Sequence, residues 1–481
     1  MPIFQRIIAE DPSLAQRSFG RTSASDIRAI IISPTRELAE QIAVEARRVS
    51  KYTGVIVQAA VGGTQKGKML YETRRQGCHI LVATPGRLSD LLSDPSSGID
   101  APRLSMFVLD EADRLLDQGF WDEVQSIRRM LPEPRENKVQ TLMFSATVPQ
   151  QVVSAVRETL QPGFRFIKCV REDDEPTHAR VPQNLVRLAS MQNALPAVYE
   201  LCLNEIEARA REASASPFKA IIYFNSTAMV EVAGQVFNNL TRSQGPLRGL
   251  PVFRVHSKLT QMQRTRESDG FRRSRTGILI SSDVTARGLD FPNVTHVMQV
   301  GVPQTGEQYV HRVGRTGRAG KEGAGYLFIH PLEEQVARSR LRELPLKPNT
   351  SLESAKVDLT APTKTSEKVA AVVSGLTAAH RRVDGTTFAD AYRSLLGTHQ
   401  FVDNKQQLID SMNDLTRYGW GLEQPPALSR ALIQKLGLSR VAGLNAGDYG
   451  SRSSYPGRND GGFNDGFNDA FSQQSGGRGD G

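Results

Sequence analysis

The chain has 481 residues and a formal net charge of +9 at pH 7; 39% of its residues are hydrophobic and 23% are charged. This length predicts two or three domains rather than one. The composition is typical of a globular protein, and no apolar run approaches the eighteen residues of a membrane span, so we expect no membrane partner. The positive charge fits a polyanionic partner, although many basic proteins bind no nucleic acid.

The cysteines and the first residues bear on the compartment. Cys78, Cys169 and Cys202 are far apart in the sequence and lack the spacing of a zinc site. We therefore expect ordinary buried residues in a reducing compartment. The N-terminus, Met1 to Asp11, is too short and too acidic for a targeting peptide and resembles the middle of a helix.

From Ala29 onward, apolar strand-like runs alternate with amphipathic stretches. The first six runs are 29–33, 55–60, 79–83, 106–109, 139–144 and 164–170. A polar stretch at 171–176 separates them from six more, at 185–189, 220–225, 252–256, 277–282, 294–300 and 324–329. Because strands that alternate with helices form parallel sheets, we predict an α/β fold with two tandem lobes.

The strand pattern ends after Pro331. Segments 388–396, 405–418 and 428–436 have a helical pattern and predict a helical extension. From Gly443 the chain is rich in Gly, Ser, Asn and Asp, with too few apolar residues to offset the entropy of ordering, so we predict a disordered tail. The predicted organisation is a first lobe at 1–170, a linker at 171–184, a second lobe at 185–332, the extension at 333–442 and the tail at 443–481.

The stretch from Ser105 to Asp113 carries the clearest chemical signal. Its apolar residues predict a buried strand, and three carboxylates, Asp110, Glu111 and Asp113, follow directly. They would lie at the carboxyl end of a parallel strand, where open α/β sheets bind ligands. Asp110 could hold the Mg²⁺ of a nucleotide while Glu111 orients or deprotonates a water. Acidic pairs can also merely complement the dipole of a helix N-terminus.

Two further segments give this acidic stretch a context. A second strand-like run ends in Ser145-Ala146-Thr147, and residues 311–318 read HRVGRTGR. In this order and spacing the three segments resemble motifs II, III and VI of the DEAD-box RNA helicases, a superfamily 2 group. The resemblance covers residues 1–332. It implies two RecA-like lobes that bind ATP and Mg²⁺ between them, and a monomer whose partner is RNA, contacted largely through the backbone and independently of sequence.

The resemblance implies roles on the ATP side of the cleft. Asp110 would hold Mg²⁺ through water, and Glu111 would act on the attacking water. Arg315 and Arg318 would be arginine fingers, since side chains three apart on a helical turn point the same way. Gly288 and Asp290 would face the ribose of ATP. The residues implied to couple nucleotide state to RNA binding are Asp113, Ser145, Thr147, His311 and Arg312.

Other segments resemble the RNA-binding elements of the family. Helix N-termini and guanidinium groups suit phosphates, and glycine permits close approach. Taken singly, each strand-to-helix turn is more often structural, with proline at the first helical position. The residues implied are Pro34, Thr35, Arg36, Gly62, Gly63, Thr84, Pro85, Gly86, Arg87, Arg264, Ser282 and Asp283. Arg264 could also be an ordinary exposed helix residue, and Asn225 could either link to motif VI or cap the following helix.

The family begins with an adenine-reading Q motif and a glycine-rich phosphate loop, and neither stands upstream of Pro34. Gly62 to Lys68 fits the phosphate-loop pattern up to its lysine, but Met69 occupies the position where Mg²⁺ needs Ser or Thr, so we do not expect this segment to bind nucleotide phosphates. We expect a truncated or degenerate helicase whose first sheet lacks a central strand, which would leave two neighbouring strands without hydrogen-bond partners. We also expect little RNA-stimulated ATPase from residues 1–481 alone.

Two functions from different classes remain open. One is an ATP-dependent RNA helicase or RNA chaperone that locally separates duplexes through ATP-coupled closure of the lobes. The other is a non-catalytic RNA-binding or scaffolding protein that has lost the phosphate loop. The extension resembles that of the fungal mitochondrial DEAD-box chaperones of intron splicing, which implies RNA processing in the mitochondrial matrix; the nucleus or the cytoplasm is the alternative.

Overall fold

The computed structural model describes residues 1–17, 22–117, 119–133, 139–146, 150–169, 181–212, 215–286, 289–318, 321–361 and 365–447. Two parallel sheets with flanking helices follow each other along these residues, and further helices pack on the second sheet. No helix among the described residues is both long enough and apolar enough to cross a membrane.

Lobe one is built on a five-stranded parallel sheet in the order β2-β3-β1-β4-β5. Its strands are β1 Ala29–Ile32, β2 Val57–Ala60, β3 Ile80–Ala83, β4 Met106–Leu109 and β5 Gln140–Met143. Its helices are α1 Pro2–Glu10, α2 Arg36–Val49, α3 Lys66–Gln76, α4 Pro85–Leu92, α5 Ala112–Asp117, α6 Trp121–Met130 and α7 Gln150–Thr159. Strands β1, β3 and β4 are apolar and buried throughout, because helices cover both faces of a parallel sheet. The loops that follow these three strands therefore meet at one edge.

Lobe two has a seven-stranded parallel sheet in the order β12-β6-β11-β10-β7-β9-β8. Its strands are β6 Gln183–Arg187, β7 Lys219–Phe224, β8 Val252–Val255, β9 Gly277–Ser281, β10 His296–Val300, β11 Ala324–Ile329 and β12 Lys347–Pro348. Its helices are α8 Ala194–Arg211, α9 Thr227–Arg242, α10 Gln261–Arg273, α11 Gly306–Val313 and α12 Glu334–Arg340. The central strand β10 lies between β7 and β11, so the loops after β7 and β10 open on the same edge.

The extension consists of α13 Glu367–His380, α14 Gly385–Thr398, α15 Lys405–Asp414, a π-helical turn at Leu415–Gly419 and α16 Arg430–Lys435. Its apolar side chains belong to the same buried cluster as the core of lobe two. Phe388 and Trp420 stack within that cluster, with ring centroids 5.0 Å apart. The extension is therefore packed as part of the second lobe and shares its core.

The predicted fold class is confirmed, and most predicted strands appear within two residues of their expected bounds. The run 164–170 is the exception, because residues 164–169 lie outside any strand and expose Phe166 and Ile167 by 69% and 76%. Strand propensity forms a strand only where a neighbouring strand offers hydrogen bonds. The short edge strand β12 was not predicted.

Two other expectations are wrong in detail. The first sheet has no internal gap, since β1 pairs with both β3 and β4 and β4 pairs with β5. Strand β5 lies at one edge of the sheet and is only partly buried, and the unpaired backbone of the sheet lies at its two edges and not between neighbouring strands. Cys78 and Cys202 are buried as expected, but Cys169 is exposed because it lies in the unpaired segment after α7. The predicted tail lies outside the described residues from 448 onward, and most of the predicted linker, 171–180, does too.

Candidate functional site

The acidic stretch forms a tight corner at the carboxyl end of β4. The Asp110 N–H continues the sheet by donating to the Ile32 carbonyl at 2.9 Å, and the Glu111 N–H donates to Asp110 Oδ1 at 3.0 Å. Glu111 has φ 51°, a left-handed conformation that costs free energy in a residue other than glycine and is concentrated at functional sites. Burial raises the pKa of Asp110, and the nearby Asp113 adds to the shift. The corner therefore holds two adjacent carboxyl groups at the sheet edge.

The end of β5 is tied to this corner. The Phe144 N–H donates to Leu109 at 2.8 Å, and the Ala112 N–H donates to Phe144 at 2.9 Å. The Asp113 N–H donates to Ser145 Oγ at 3.3 Å. The segment around Ser145 is thus placed to respond to movements of the acidic corner. Thr147, the other predicted coupling residue of this segment, lies outside the described residues.

Two arginines of lobe two converge on one carbonyl. Arg315 Nη1 donates to the Leu289 carbonyl, and Arg318 Nη1 lies 3.4 Å from the same oxygen. Arg318 also forms an ion pair with Asp290 at 2.7 Å. The structure therefore brings Arg315, Arg318 and Asp290 together, as three of the four residues predicted to bind ATP. The fourth, Gly288, lies outside the described residues.

The acidic corner of lobe one and the arginines of lobe two share a cleft. Burial lowers the pKa of Arg315 to about 10, and the neighbouring Arg318 contributes, whereas the carboxylates of Glu111 and Asp290 act in the opposite direction. Glu111 is thus close enough to act electrostatically on a guanidinium from the other lobe. Arg114 also crosses the cleft and donates to the Asp283 carbonyl at 3.5 Å. The two lobes therefore bring groups of opposite charge close to each other at this place.

Arg312 pairs with Asp283 within lobe two. Its side chain is completely buried and forms a bidentate ion pair with Asp283, at 2.7 and 3.0 Å. Its Nη2 also donates to Asn225 Oδ1 at 3.0 Å, and its guanidinium lies 5.4 Å from the centre of the Tyr223 ring. The carboxylate of Asp283, which we predicted to face RNA, is engaged by this arginine. Asn225 is a link to motif VI, while the neighbouring Ser226 caps α9. His311 is buried one position earlier, and its carbonyl accepts from Arg315 Nε at 3.3 Å.

The predicted RNA-binding turns of lobe one lie side by side after β1, β2 and β3. We call residues 34–36, 62–63 and 84–87 the turn surface. The guanidinium of Arg36 lies against the backbone of Gly62 and Gly63, so closely that a Cβ on Gly63 would be 2.2 Å from Arg36 Nη1. The Gly62 N–H donates to Thr84 Oγ1 at 3.2 Å. The three turns thus form one continuous surface.

Positive charge accumulates on the turn surface. Burial lowers the pKa of Arg87, and Arg36 contributes to that shift. Arg87 is held by Thr64, through Oγ1 at 3.3 Å and the carbonyl at 3.0 Å. Thr35 caps α2 by accepting from the Leu38 N–H, while Pro85 and Gly86 form the first turn of α4. Fixed guanidinium groups beside helix N-termini are suited to phosphate oxygens.

The segment from Gly62 to Lys68 forms no phosphate loop. Gly67 lies inside α3, and Lys66 pairs with Asp90 at 2.8 Å and Asp94 at 3.0 Å. Lys68 also lies in α3, so the second half of this segment is helical.

Arg264 is neither exposed nor directed outward. Its Nη2 lies 2.7 Å from Glu37 Oε2 in the other lobe, and both side chains are more than 90% buried. Around this pair, Gln261 donates to Glu37 and Glu40 at 3.3 Å each, and Thr265 donates to Glu40 at 2.9 Å. We call this set, together with Arg272 and Gln41, the α2–α10 latch. Sequence reasoning missed the latch, because nothing in either helix alone indicates that the two face each other.

Ser282 lies at the end of β9, where its N–H donates to the Val255 carbonyl at 3.3 Å. Its side chain is nearly buried beside Asp283. The RNA contact predicted for Ser282 stays a prediction.

Comparisons with known proteins find helicase families for both lobes. A family model described as DEAD/DEAH box helicase matches residues 1–156, and one described as helicase conserved C-terminal domain matches residues 198–320. The mitochondrial ATP-dependent RNA helicase mss116 of Aspergillus fumigatus is 48% identical over 454 residues, which are 93% of this chain and 69% of that protein. The mitochondrial ATP-dependent RNA helicase cyt-19 of Neurospora crassa is 49% identical over 447 residues, which are 92% of this chain and 70% of that protein. Among solved structures, Mss116p bound to ssRNA and AMP-PNP has a TM-score of 0.73 and 27% identity, and the match covers 92% of this chain and 83% of that one.

Proposed function

Because this chain belongs to the DEAD/DEAH box helicase family, we propose that it is an ATP-dependent RNA helicase and RNA chaperone that separates RNA duplexes locally. Both lobes match the family, and relatives of almost half-identical sequence are named ATP-dependent RNA helicases. The observation that supports the proposal best is that the acidic corner of lobe one and the arginines of lobe two face each other, with Arg114 in contact with Asp283 and Glu111 near Arg315. A nucleotide triphosphate between these groups would be gripped by both lobes at once.

The chemistry assigned to the cleft follows from its charges. Glu111 orients the water that attacks the terminal phosphate, and Arg315 and Arg318 neutralise the charge that spreads over the phosphate oxygens in the transition state. Asp290 holds Arg318 in place through their ion pair. Since Arg315 is fixed by two backbone carbonyls, its side chain needs to move little when negative charge develops on the phosphate oxygens.

The acidic corner fits a Mg²⁺ ion. Burial raises the pKa of Asp110, which means that its ionised form is costly there, and a bound cation would offset that cost. Asp110 would hold the ion through water, as Mg²⁺ usually keeps several waters. The ion would supply neutralisation of the phosphate charge during hydrolysis.

RNA binding is assigned to the turn surface and to the segment around Ser282 and Asp283. Arg36 and Arg87 would contact phosphates, and the absence of base-reading geometry in such contacts makes binding independent of sequence and sensitive to salt. ATP and RNA each favour closure of the lobes, so each raises the affinity for the other. The effect of ATP binding on RNA affinity would be transmitted from the acidic corner to Ser145 and, through Arg114, to Asp283.

The names of the two most similar relatives given above place those proteins in mitochondria. We assign this chain to the same compartment, with a role in RNA processing and intron splicing. The match to Mss116p supports this grouping, because it covers 92% of this chain and so includes most of the extension.

The test is RNA-stimulated ATP hydrolysis by the protein, wild type or variant, isolated from the cells that make it, because we expect little hydrolysis from residues 1–481 alone. We expect Glu111→Gln to lower the rate by about 100-fold or more, the usual size of a general-base contribution, while RNA binding persists. Glu343→Gln, which changes an exposed carboxylate after α12, is the matched control and should hydrolyse ATP at the wild-type rate. Equal rates in wild type and Glu111→Gln would instead support a non-catalytic RNA-binding protein.

A further inference from the structure

Three buried side chains that no role in the cleft explains meet between lobe two and the extension. His330 and Glu333 follow strand β11, whereas His399 follows α14 of the extension. Their exposed fractions are 7%, 2% and 7%. His330 Nε2 lies 3.1 Å from His399 Nε2 and 3.3 Å from Glu333 Oε2, and one ligand atom from each residue lies within 4.8 Å of the others. We call these residues the His–Glu–His cluster.

The spacing of the cluster is that of a metal coordination sphere. Zinc binds imidazole nitrogen and carboxylate oxygen at about 2.0–2.2 Å, so neighbouring ligand atoms of a tetrahedral site are about 3.3 Å apart. The distances from His330 Nε2 to its two partners match that edge. Two histidines and one glutamate are also a known set of three protein ligands for zinc.

We propose that His330, Glu333 and His399 form a binding site for a divalent transition-metal ion, Zn²⁺ by preference, which fastens the extension to lobe two. Imidazole and carboxylate ligands favour Zn²⁺ over Mg²⁺, which prefers an oxygen shell. The site is separate from the Mg²⁺ of the ATP cleft, and it does not rest on the proposed function.

The charges of the cluster support a cation. The Glu333 carboxylate is buried and accepts from the backbone N–H groups of Val302 at 2.9 Å and His330 at 3.3 Å. Among the described residues, no lysine or arginine forms an ion pair with it. Burial raises the pKa of Glu333 and lowers the pKa of His330 to about 3 and that of His399 to about 4. Neutral imidazoles are the form that binds metals, and a dication would compensate the buried carboxylate.

Each imidazole ring can carry its proton on Nδ1, so that Nε2 can bind the metal. His399 Nδ1 lies 3.0 Å from the Leu395 carbonyl, so a proton on Nδ1 leaves Nε2 free to bind. The His330 ring accepts from the Glu333 N–H. To bind the ion through Nε2, His330 would carry its ring proton on Nδ1, and the Glu333 N–H, which would then lose the ring as its acceptor, would keep its bond to the His330 carbonyl at 2.9 Å.

A cavity beside the cluster offers room for a fourth ligand. The cluster lines a cavity of about 80 Å³ between lobe two and the extension, which Trp420 and His380 also line. This space admits a water, which would complete a tetrahedral site. Glu333 Oε1 accepts from the Val302 N–H, and the Val302 carbonyl accepts from Asn225 at 2.9 Å. The metal would therefore stiffen the backbone next to the asparagine that holds Arg312.

The experiment measures Zn²⁺ binding by the whole chain, prepared without a histidine tag and freed of metal with a chelator. We expect the wild type to bind one equivalent of Zn²⁺ in competition with a chromophoric chelator, and Co²⁺ to give the absorption bands of tetrahedral coordination. His399→Gln and Glu333→Gln should each weaken Zn²⁺ binding at least tenfold. Zn²⁺ should also raise the thermal midpoint of the wild type and not that of His399→Gln.

His380→Gln is the matched control, since His380 is a buried histidine that lines the same cavity but lies outside the cluster. It should bind Zn²⁺ as the wild type does. Near-UV circular dichroism identifies any variant that fails to fold, and Glu333→Gln then serves in place of His399→Gln. The proposal would be overturned if the wild type bound no Zn²⁺, or bound it no more tightly than a folded cluster variant does. The two histidines would then be a neutral pair packed in the core.

Discussion

Gly63 illustrates how one residue shapes the turn surface. Its φ of +75° suits glycine, and the space where a side chain would begin is filled by the Arg36 guanidinium. The sequence predicted a glycine that lets a ligand approach the backbone. In the structure it is an arginine of the same chain that approaches, and this holds the charge in a fixed place.

We therefore expect Gly63→Ala to displace Arg36 and weaken binding of single-stranded RNA. The slope of log affinity against log salt concentration should also become about one unit less steep, as expected for the loss of one phosphate contact. Fluorescence anisotropy at several salt concentrations measures both. Gly67→Ala is the control, because Gly67 lies in α3 with nothing within 4 Å of an added Cβ. Equal salt slopes in the two variants would remove Arg36 from the RNA site.

Arg264 and Glu37 form a buried ion pair between the lobes, 2.7 Å long. Burial lowers the pKa of Arg264, although Glu37 opposes the shift. Removing one partner leaves the other charge buried, which typically costs about 3–5 kcal/mol.

We expect Arg264→Ala to weaken closure of the lobes and RNA affinity strongly, and Arg264→Ala/Glu37→Gln to recover part of the loss. A double-mutant cycle on RNA affinity measures the coupling, and strictly additive losses would argue against the pair in the RNA-bound state.

Lys219 is a buried lysine at the start of β7. Its ammonium group donates to the carbonyls of Ser274 at 2.8 Å and Pro292 at 3.0 Å and lies 4.7 Å from the centre of the Phe271 ring. Burial lowers its pKa from 10.5 to about 8. Between these values the unfolded chain binds more protons than the folded chain, so the free energy of unfolding rises with pH; below about pH 8 both forms hold the proton.

We expect the rise in the free energy of unfolding with pH to disappear in Lys219→Met, which keeps a long apolar stem and removes the titrating group. Urea unfolding of wild type and variant across the window from about pH 8 to 10.5 isolates the contribution. Tyrosines with raised pKa values are common to both proteins and cancel in the comparison. Parallel curves for the two proteins would mean that the Lys219 pKa is not lowered by folding.

At the scale of elements, α10 matters because its first two turns carry Gln261, Arg264 and Thr265 of the latch. Its start is fixed by a capping box in which Thr260 accepts from the Gln263 N–H at 3.3 Å and Gln263 accepts from the Thr260 N–H at 3.0 Å. The sequence contains this signature, but only the fold shows that the capped turn carries Gln261 and Arg264 to α2.

Thr260→Ala should destabilise lobe two by about 1 kcal/mol, the usual cost of losing a helix cap. Because the first turn then frays, RNA affinity should fall as well. Thr260→Ser keeps the acceptor and is expected to stay near the wild type. Denaturant unfolding and anisotropy measure the two effects; a loss of the same size in Thr260→Ser would mean that the methyl group and not the cap is responsible.

The segment at 164–169 shows the limit of element prediction. Its apolar residues have strand propensity, and the sequence predicted a strand, but the structure leaves Phe164, Phe166 and Ile167 exposed. Pairing requires a free edge at the right place, and the residues themselves do not specify that edge.

At the scale of the whole molecule, lobe two and the extension share one hydrophobic core. Residues such as Tyr199 and Phe237 of lobe two belong to the same buried cluster as Phe388, Tyr392 and Trp420 of the extension. Removing the extension would expose this surface to water, at about 25 cal/mol for each Å² of apolar area.

We therefore expect the fragment 181–332 to aggregate or to unfold without cooperativity, and the fragment 181–447 to melt in a single transition. Circular dichroism melting curves with size-exclusion chromatography measure this. A cooperative transition of 181–332 at the same temperature as 181–447 would show that the extension contributes no stability.

The sequence by itself determined the alternation of strands and helices, the acidic corner after β4 and the arginines of residues 311–318. These are local patterns, because periodicity and motif spacing depend on residues close together in the chain. Only the tertiary structure decided that Arg264 meets Glu37, that Asn225 holds Arg312, that β5 is the edge of its sheet, and that His330, Glu333 and His399 come together. Each of these depends on which surfaces of distant segments pack face to face, and that choice is made by the packing of the whole chain.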